Sequence, residues 1–189
     1  MNDLQTYIQQ IKLHLITTHS EILSWFDKEV ALKNYEPKNG DWSVNEILEH
    51  IALTSHFLFI LIDKGTNKAI KNIQNQSLEK LLFEFDYDLD RLNSIGITQS
   101  FEWARPEHMQ PKGIKSEFEI KEELIGQLNK CLNQLDKLEN GEGLLYKTTM
   151  TVNQLGKLNV YEYIYFLSKH AERHIQQMVK NQAELEQNI

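Results

Sequence analysis

The most constraining feature of this chain is an apolar stripe with the spacing of an α-helix. It recurs in steps of three and four residues from about Asp3 to about Leu32, before Pro37 and Gly40 break the pattern. Its members are Leu4, Ile8, Ile11, Leu15, Ile22, Phe26 and Val30. This spacing places the apolar side chains on one helix face, which must pack against other elements. Only 8 glycines and 3 prolines occur in 189 residues, so the composition also favours helices over a turn-rich β fold.

A capping signal marks the start of a second helix. Ser43 is followed three residues later by Glu46, just before an apolar run. Such a pair satisfies two backbone N–H groups at a helix start, so it predicts an N-terminus here. We expect this helix to continue to about Asp63, before Gly65, with a polar connection after it.

Three more helices follow from the same kinds of signal. A shorter helix is predicted over Ser77–Leu92, with its first residue as the cap. A longer one is expected at about Glu117–Glu139, and the last at about Val160–Glu184 with Asn159 and Glu162 as a cap pair.

One long segment without periodicity crosses between these helices. Residues 96–113 contain Pro106, Pro111 and Gly113, and long loops in compact domains are often functional lids.

Four long helices, one extra short helix and this crossing loop predict an all-α four-helix bundle. No repeat or shift in composition marks a second domain, so we expect a single domain over residues 1–189.

Charge and cysteine content limit the possible partners and compartments. The net charge of −7, with both signs interspersed, opposes nucleic-acid binding, which needs a dense basic stripe. No leader pattern, membrane span or basic amphipathic face is evident, so we expect no membrane partner. The single cysteine, Cys131, lies on an apolar helical stripe and suits a reducing compartment. The expected location is the cytoplasm.

Two histidines share one face of the last helix. His170 and His174 are separated by four residues, and a rotation of about 100° per residue places them about 40° apart on the helix. Tyr163, Phe166 and Leu167 lie on the same face. Both imidazoles are therefore expected to point into the core, where each ring nitrogen needs a partner.

The second helix contributes one further inward histidine. His50 projects with Ile47 and Ile51, whereas His56 falls with Glu49 and Asp63 on the polar side. We expect the first histidine to face the core and the second to face water. His19, on the apolar face of the first helix, suits a structural role and is also a candidate to line a pocket.

The residues alone leave two interpretations of the inward histidines open. Three neutral ring nitrogens at about 2.1 Å from a metal would leave positions for water or substrate, as in catalytic sites. Alternatively, the rings form a buried hydrogen-bonded group without a metal.

The segments "DWSVNEILEHI" and "LGKLNVYEYIYFLSKHAERHIQQM" resemble a known family. They are similar to the DinB and YfiT-like superfamily of bacterial metal-dependent hydrolases and thiol transferases, which are four-helix bundles. The positions that match the family pattern are Trp42, Ser43, His50, His170, Arg173, His174 and Gln177.

This resemblance implies a function. Carried over by position, His50, His170 and His174 would hold a divalent metal, commonly nickel or zinc, with iron, manganese or copper as alternatives. The metal would activate a low-molecular-weight thiol, such as bacillithiol or mycothiol, or water, for transfer to or hydrolysis of a small-molecule substrate. Dimerisation is common in such relatives, so a homodimer is expected. The competing hypothesis is a non-catalytic metal-binding or stress-response protein that acts through a partner.

Five further residues are candidates for the surroundings of the site. Glu46 could act as a base or as an acceptor for a ligand proton, although reciprocal capping explains it with local geometry alone. Gln177 and Arg173 flank the last histidine and could orient ligands. Trp42 is either a packing residue or a substrate platform, and Trp103 in the crossing loop could either cover the pocket or anchor that loop to the bundle.

Overall fold

Four long helices form the body of the protein. The structure is a computed structural model that describes residues 4–98, 100 and 106–187. Its α-helices in this described part are α1 (Leu4–Ser24), α2 (Val30–Lys33), α3 (Val44–Asn72), α4 (Leu78–Glu84), α5 (Glu117–Lys137) and α6 (Val160–Gln187). α1 and α3 each pack against both α5 and α6, which closes a four-sided bundle. The prediction of an all-α bundle is confirmed.

The first helix is shorter than predicted. α1 ends at Ser24, whose Oγ donates to the Glu21 carbonyl at 2.6 Å, and a 3₁₀ turn at Trp25–Asp27 follows. Such local side-chain bonds compete with helix continuation. The turn buries Trp25 and Phe26, whereas Val30, the last member of the predicted stripe, lies at the start of the short α2 and is 64% exposed, so its predicted place on the buried face was wrong.

The second long helix extends beyond its predicted end. α3 continues past Gly65 to Asn72, and Thr66 and Ala69 on this extension are buried. A Cβ atom at Gly65 would lie 3.3 Å from the Cγ2 atom of Val160. Gly65 therefore permits the close approach of α6, and the prediction that it ends the helix was wrong.

The predicted helix over Ser77–Leu92 is divided. Ser77 caps α4 as expected, since its Oγ accepts from the Lys80 N–H at 3.3 Å. The helix stops at Glu84, and a 3₁₀ segment covers Asp90–Gly96. Asp88 Oδ1 accepts the N–H of Asp90 at 2.7 Å, a turn bond that replaces the helical pattern.

A β-hairpin, which the sequence analysis did not predict, precedes the last helix. Strand β1 (Lys147–Met150) pairs antiparallel with β2 (Gly156–Asn159). α6 then starts as predicted, because the Asn159 N–H donates to Glu162 Oε2 at 2.8 Å and Asn159 Oδ1 accepts the Glu162 N–H at 3.0 Å. The hairpin thus lies directly beside the start of α6.

Within the described residues, α3 is also the one helix long and apolar enough to span a membrane by length and composition, although the sequence analysis identified no such segment. Of its most apolar stretch, 61% is buried inside the structure. The burial is that of a core helix in a bundle.

Candidate metal centre

α3 and α6 bring three histidines together. His50 lies in the second turn of α3, and His170 and His174 lie one turn apart on the facing side of α6. Their exposed fractions are 8%, 4% and 2%, so all three rings are buried as the helical projection predicts. One ring nitrogen from each can be chosen so that all lie within 4.8 Å of one another.

Hydrogen bonds behind two of the rings indicate which nitrogens face the centre. His50 Nδ1 lies 2.6 Å from the carbonyl oxygen of Met109, and His174 Nδ1 lies 2.7 Å from Gln177 Oε1. Both partners accept, so both Nδ1 atoms carry the proton and both Nε2 atoms keep a lone pair. This arrangement of an acceptor behind a ligand ring is typical of metal-bound histidines.

The Nε2 atoms of His170 and His174 meet at the centre, and that of His50 lies beside a threonine hydroxyl. His174 Nε2 lies 3.1 Å from His170 Nε2, and Thr54 Oγ1 lies 3.5 Å from His50 Nε2. The short contact between the two imidazoles requires either a proton donated by His170 or a cation between the lone pairs. Three buried imidazoles whose ring nitrogens lie this close together are a donor set that suits zinc, nickel, copper or iron.

Burial also determines the charge state of His170. Desolvation lowers the pKa of His170 well below its ordinary value of 6.5, and the nearby His174, His50 and Arg173 lower it further. His170 is therefore neutral at pH 7, which is the state that a metal ligand requires.

A cavity of about 250 Å³ opens beside the three rings. The histidines form one wall, and Pro106 and Met109 of the crossing loop contribute to another. Its other apolar lining residues are Leu58, Leu61, Met150, Val152 and Phe166. The unpredicted hairpin therefore supplies part of the wall.

Three of the residues predicted around the site line this cavity. Gln177 orients His174, as described above, and Arg173 lies on the same helix face. The ring of Trp42 is half-buried, with its centroid 4.6 Å from that of His50, and its carbonyl accepts from Asn181 Nδ2 at 2.8 Å. Trp42 thus both packs against a candidate ligand and faces the cavity.

Glu46, His19 and Trp103 have different positions. Glu46 Oε2 accepts from the N–H and the hydroxyl of Ser43, each at 2.8 Å, which is the capping geometry. His19 is buried with Nδ1 bonded to the Leu15 carbonyl at 3.0 Å. Neither belongs to the described residues that line the cavity. Trp103 lies outside the described residues.

The remaining histidines are not at the centre. His56 is exposed, as predicted. His14 is half-buried with Nε2 3.4 Å from Glu172, and His108 is exposed with its ring nearly perpendicular to that of Phe57.

Glu49 is a residue that the sequence analysis placed wrongly. It was expected on the polar side of its helix, but it is only 3% exposed. Its Oε2 accepts from the N–H groups of Lys112 and Gly113, at 3.2 and 2.8 Å. Together with the bond from His50 to Met109, it holds the segment 106–113 against α3. No sequence signal identifies this contact, because the partners are backbone amides of a distant loop.

Comparison with known proteins gives one match. A family model described as the DinB superfamily matches residues 23–178, a range that contains all three histidines. Searches of curated proteins and of solved structures gave no significant match.

Proposed function

The chain belongs to the DinB superfamily, and on this premise we propose that it is a divalent-metal-dependent enzyme with His50, His170 and His174 as ligands. The observation that carries the proposal is the convergence of three buried imidazoles whose ring nitrogens lie within 4.8 Å. Acceptors behind two of the rings add support, since they present Nε2 lone pairs to one point.

The proposed reaction is transfer of a low-molecular-weight thiol to a small molecule, or hydrolysis of such a molecule. When bound, a divalent ion with three neutral ligands lowers the pKa of a coordinated thiol or water. Gln177 and the Met109 carbonyl keep the Nδ1 protons in place, and the apolar walls exclude water from the reacting atoms. Nickel and zinc are the proposed metals, and imidazole also suits iron or copper.

Elemental analysis of untagged protein tests the metal site. We expect near-stoichiometric metal in the wild type and none in His50→Ala or His174→Ala. His56→Ala is the matched control, because that histidine lies on the same helix but is exposed. Retention of metal in the His50→Ala and His174→Ala variants would contradict the proposed ligands.

Activity requires a second test. A screen of thiol conjugation and hydrolysis, run with and without added thiol, should show turnover that disappears in His50→Ala while the circular dichroism spectrum is unchanged. Full metal loading without turnover, together with a loss of thermal stability on chelation, would instead support a structural metal in a partner-binding protein.

We further propose a single-domain protein that acts in the cytoplasm as a homodimer. Cys131 is 2% exposed, and burial raises its pKa to about 12, which suits an inert core thiol in a reducing compartment. Leu13 and Ile16 on α1 are 67% and 47% exposed, and apolar surface of this kind supports an interface. Light scattering of wild type and Leu13→Glu tests it, with a dimer that dissociates in the variant as the expected result.

A further inference from the structure

The cavity beside the three histidines has a strongly uneven distribution of polarity. Its polar lining consists of the imidazoles together with Arg173, Gln177 and three threonines, while α3 contributes Leu58 and Leu61, α6 contributes Phe166, and the hairpin region contributes Met150 and Val152. These apolar side chains come from three separate parts of the chain and face one space. The apolar lining is therefore a property of the assembled fold.

Two polar groups of this lining are already engaged within the protein. The Tyr163 hydroxyl donates to the Thr149 carbonyl at 2.9 Å, and Thr54 Oγ1 lies beside His50. Among the described lining residues, Arg173 is the one with a full charge, and it also borders a separate polar cavity that contains Asp41 and Lys180. An ion held between the apolar walls, away from Arg173, would lose its hydration without replacement, which is unfavourable.

The volume restricts the size of the occupant. At about 250 Å³, the cavity lies just below the range of roughly 300–1,000 Å³ in which proteins bind drug-sized ligands. A compact molecule, such as one with a single ring, fits this space better than an extended one.

We propose that this cavity selects a small, uncharged and mainly apolar molecule as the substrate. Its body lies between Leu58, Phe166 and Val152, and its reacting atom faces the wall of Nε2 atoms. The reaction of the bound molecule rests on the proposed function, whereas the selection against charged molecules depends only on the cavity walls.

Two wall positions allow a clean test. Leu61 is half-buried and packs against the edge of the core, so Leu61→Asp adds a charge to the wall at a partly exposed position. Its neighbour Ile60 is 57% exposed and is not among the described residues that line the cavity. Ile60→Asp is therefore a matched control. Val152→Asp, with Asn153→Asp as its control, repeats the test on the hairpin turn if the first variant does not fold.

The experiment is a fluorine NMR titration of the full chain after dialysis against a chelator. The three probes are 4-fluorobenzyl alcohol, 4-fluorobenzoate and 4-fluorobenzylammonium, which are similar in size but differ in charge. We expect the alcohol to bind at least about tenfold more tightly than either ion, as the lost hydration of an ion requires. Leu61→Asp should weaken alcohol binding by about tenfold or more, while Ile60→Asp leaves it unchanged. Equal binding of an ion, or unchanged binding of the alcohol to Leu61→Asp and Val152→Asp, would overturn the inference.

The result is separable from the proposed function. A chain that prefers the alcohol but never takes up metal keeps this inference and refutes the metal-dependent enzyme. A chain that binds metal at the three histidines but shows no preference among the probes refutes this inference alone.

Discussion

Replacement of Glu49 tests how the crossing loop supports the candidate metal centre. The carboxylate accepts two backbone N–H groups, from Lys112 and Gly113, and each such charge-assisted bond contributes about 1.5–3 kcal/mol. Both donors belong to exposed residues, so water can replace the carboxylate once the segment 106–113 leaves α3. We therefore expect Glu49→Ala to lower the free energy of unfolding by about 1.5–3 kcal/mol, and not by the sum of two bonds.

Glu49→Ala should also affect His50. When the segment detaches, the Met109 carbonyl no longer accepts the Nδ1 proton, and loss of such a partner typically weakens metal binding about 10- to 100-fold. Urea unfolding gives the stability, a competitive chelator titration gives the affinity, and nitrogen NMR of the metal-free protein gives the His50 tautomer. Glu49→Gln keeps an acceptor and should lose less in all three, while Glu122→Ala on the exposed side of α5 is the control. A tautomer fixed at Nδ1–H in Glu49→Ala, with stability within about 0.5 kcal/mol of the wild type, would refute this reasoning.

Three further predictions concern separate parts of the molecule. Gln177→Leu removes the acceptor behind His174 and should weaken metal binding about 10- to 100-fold in a chelator titration, with little change in urea unfolding; equal affinity would contradict the assigned role. Burial lowers the pKa of His19 below 6.5, so the unfolded chain takes up a proton at this histidine more readily than the folded protein, and the free energy of unfolding should fall as the pH drops below about 6.5. In urea unfolding at several pH values, His19→Gln should make this decrease smaller by up to about 1.4 kcal/mol per pH unit, and an identical slope in variant and wild type would contradict the prediction. A Cβ atom at Gly143 would lie 2.6 Å from the buried ring of Tyr161, so Gly143→Ala should cost about 1–3 kcal/mol, and an unchanged melting temperature would show that the ring adapts freely.

Local signals predicted the features that local contacts produce. The capping pairs at Ser43 with Glu46 and at Asn159 with Glu162 are present, because each needs only residues three positions apart. The inward orientation of His50 followed from the period of its own helix. The helical projections placed His50, His170 and His174 on inward faces, and the family resemblance implied that the three form one site.

The features that were missed depend on contacts between distant segments. Gly65 has the sequence signature of a helix end, but close packing against Val160 gives it a place inside α3. Glu49 has the polarity of a surface residue, but two loop amides bury it. The hairpin that brings Met150 to the cavity is only four residues per strand, too short for a reliable period-two pattern.

X-ray absorption spectroscopy of the metal-loaded protein shows directly whether the three histidines are ligands. We expect three imidazoles at about 2.0–2.1 Å from the metal, with the remaining positions held by oxygen, and a sulfur neighbour at about 2.3 Å after a thiol is added. The three imidazoles should be lost together in His50→Ala/His174→Ala. A spectrum with one imidazole or none, or with the same ligands in wild type and variant, would contradict a metal centre at His50, His170 and His174.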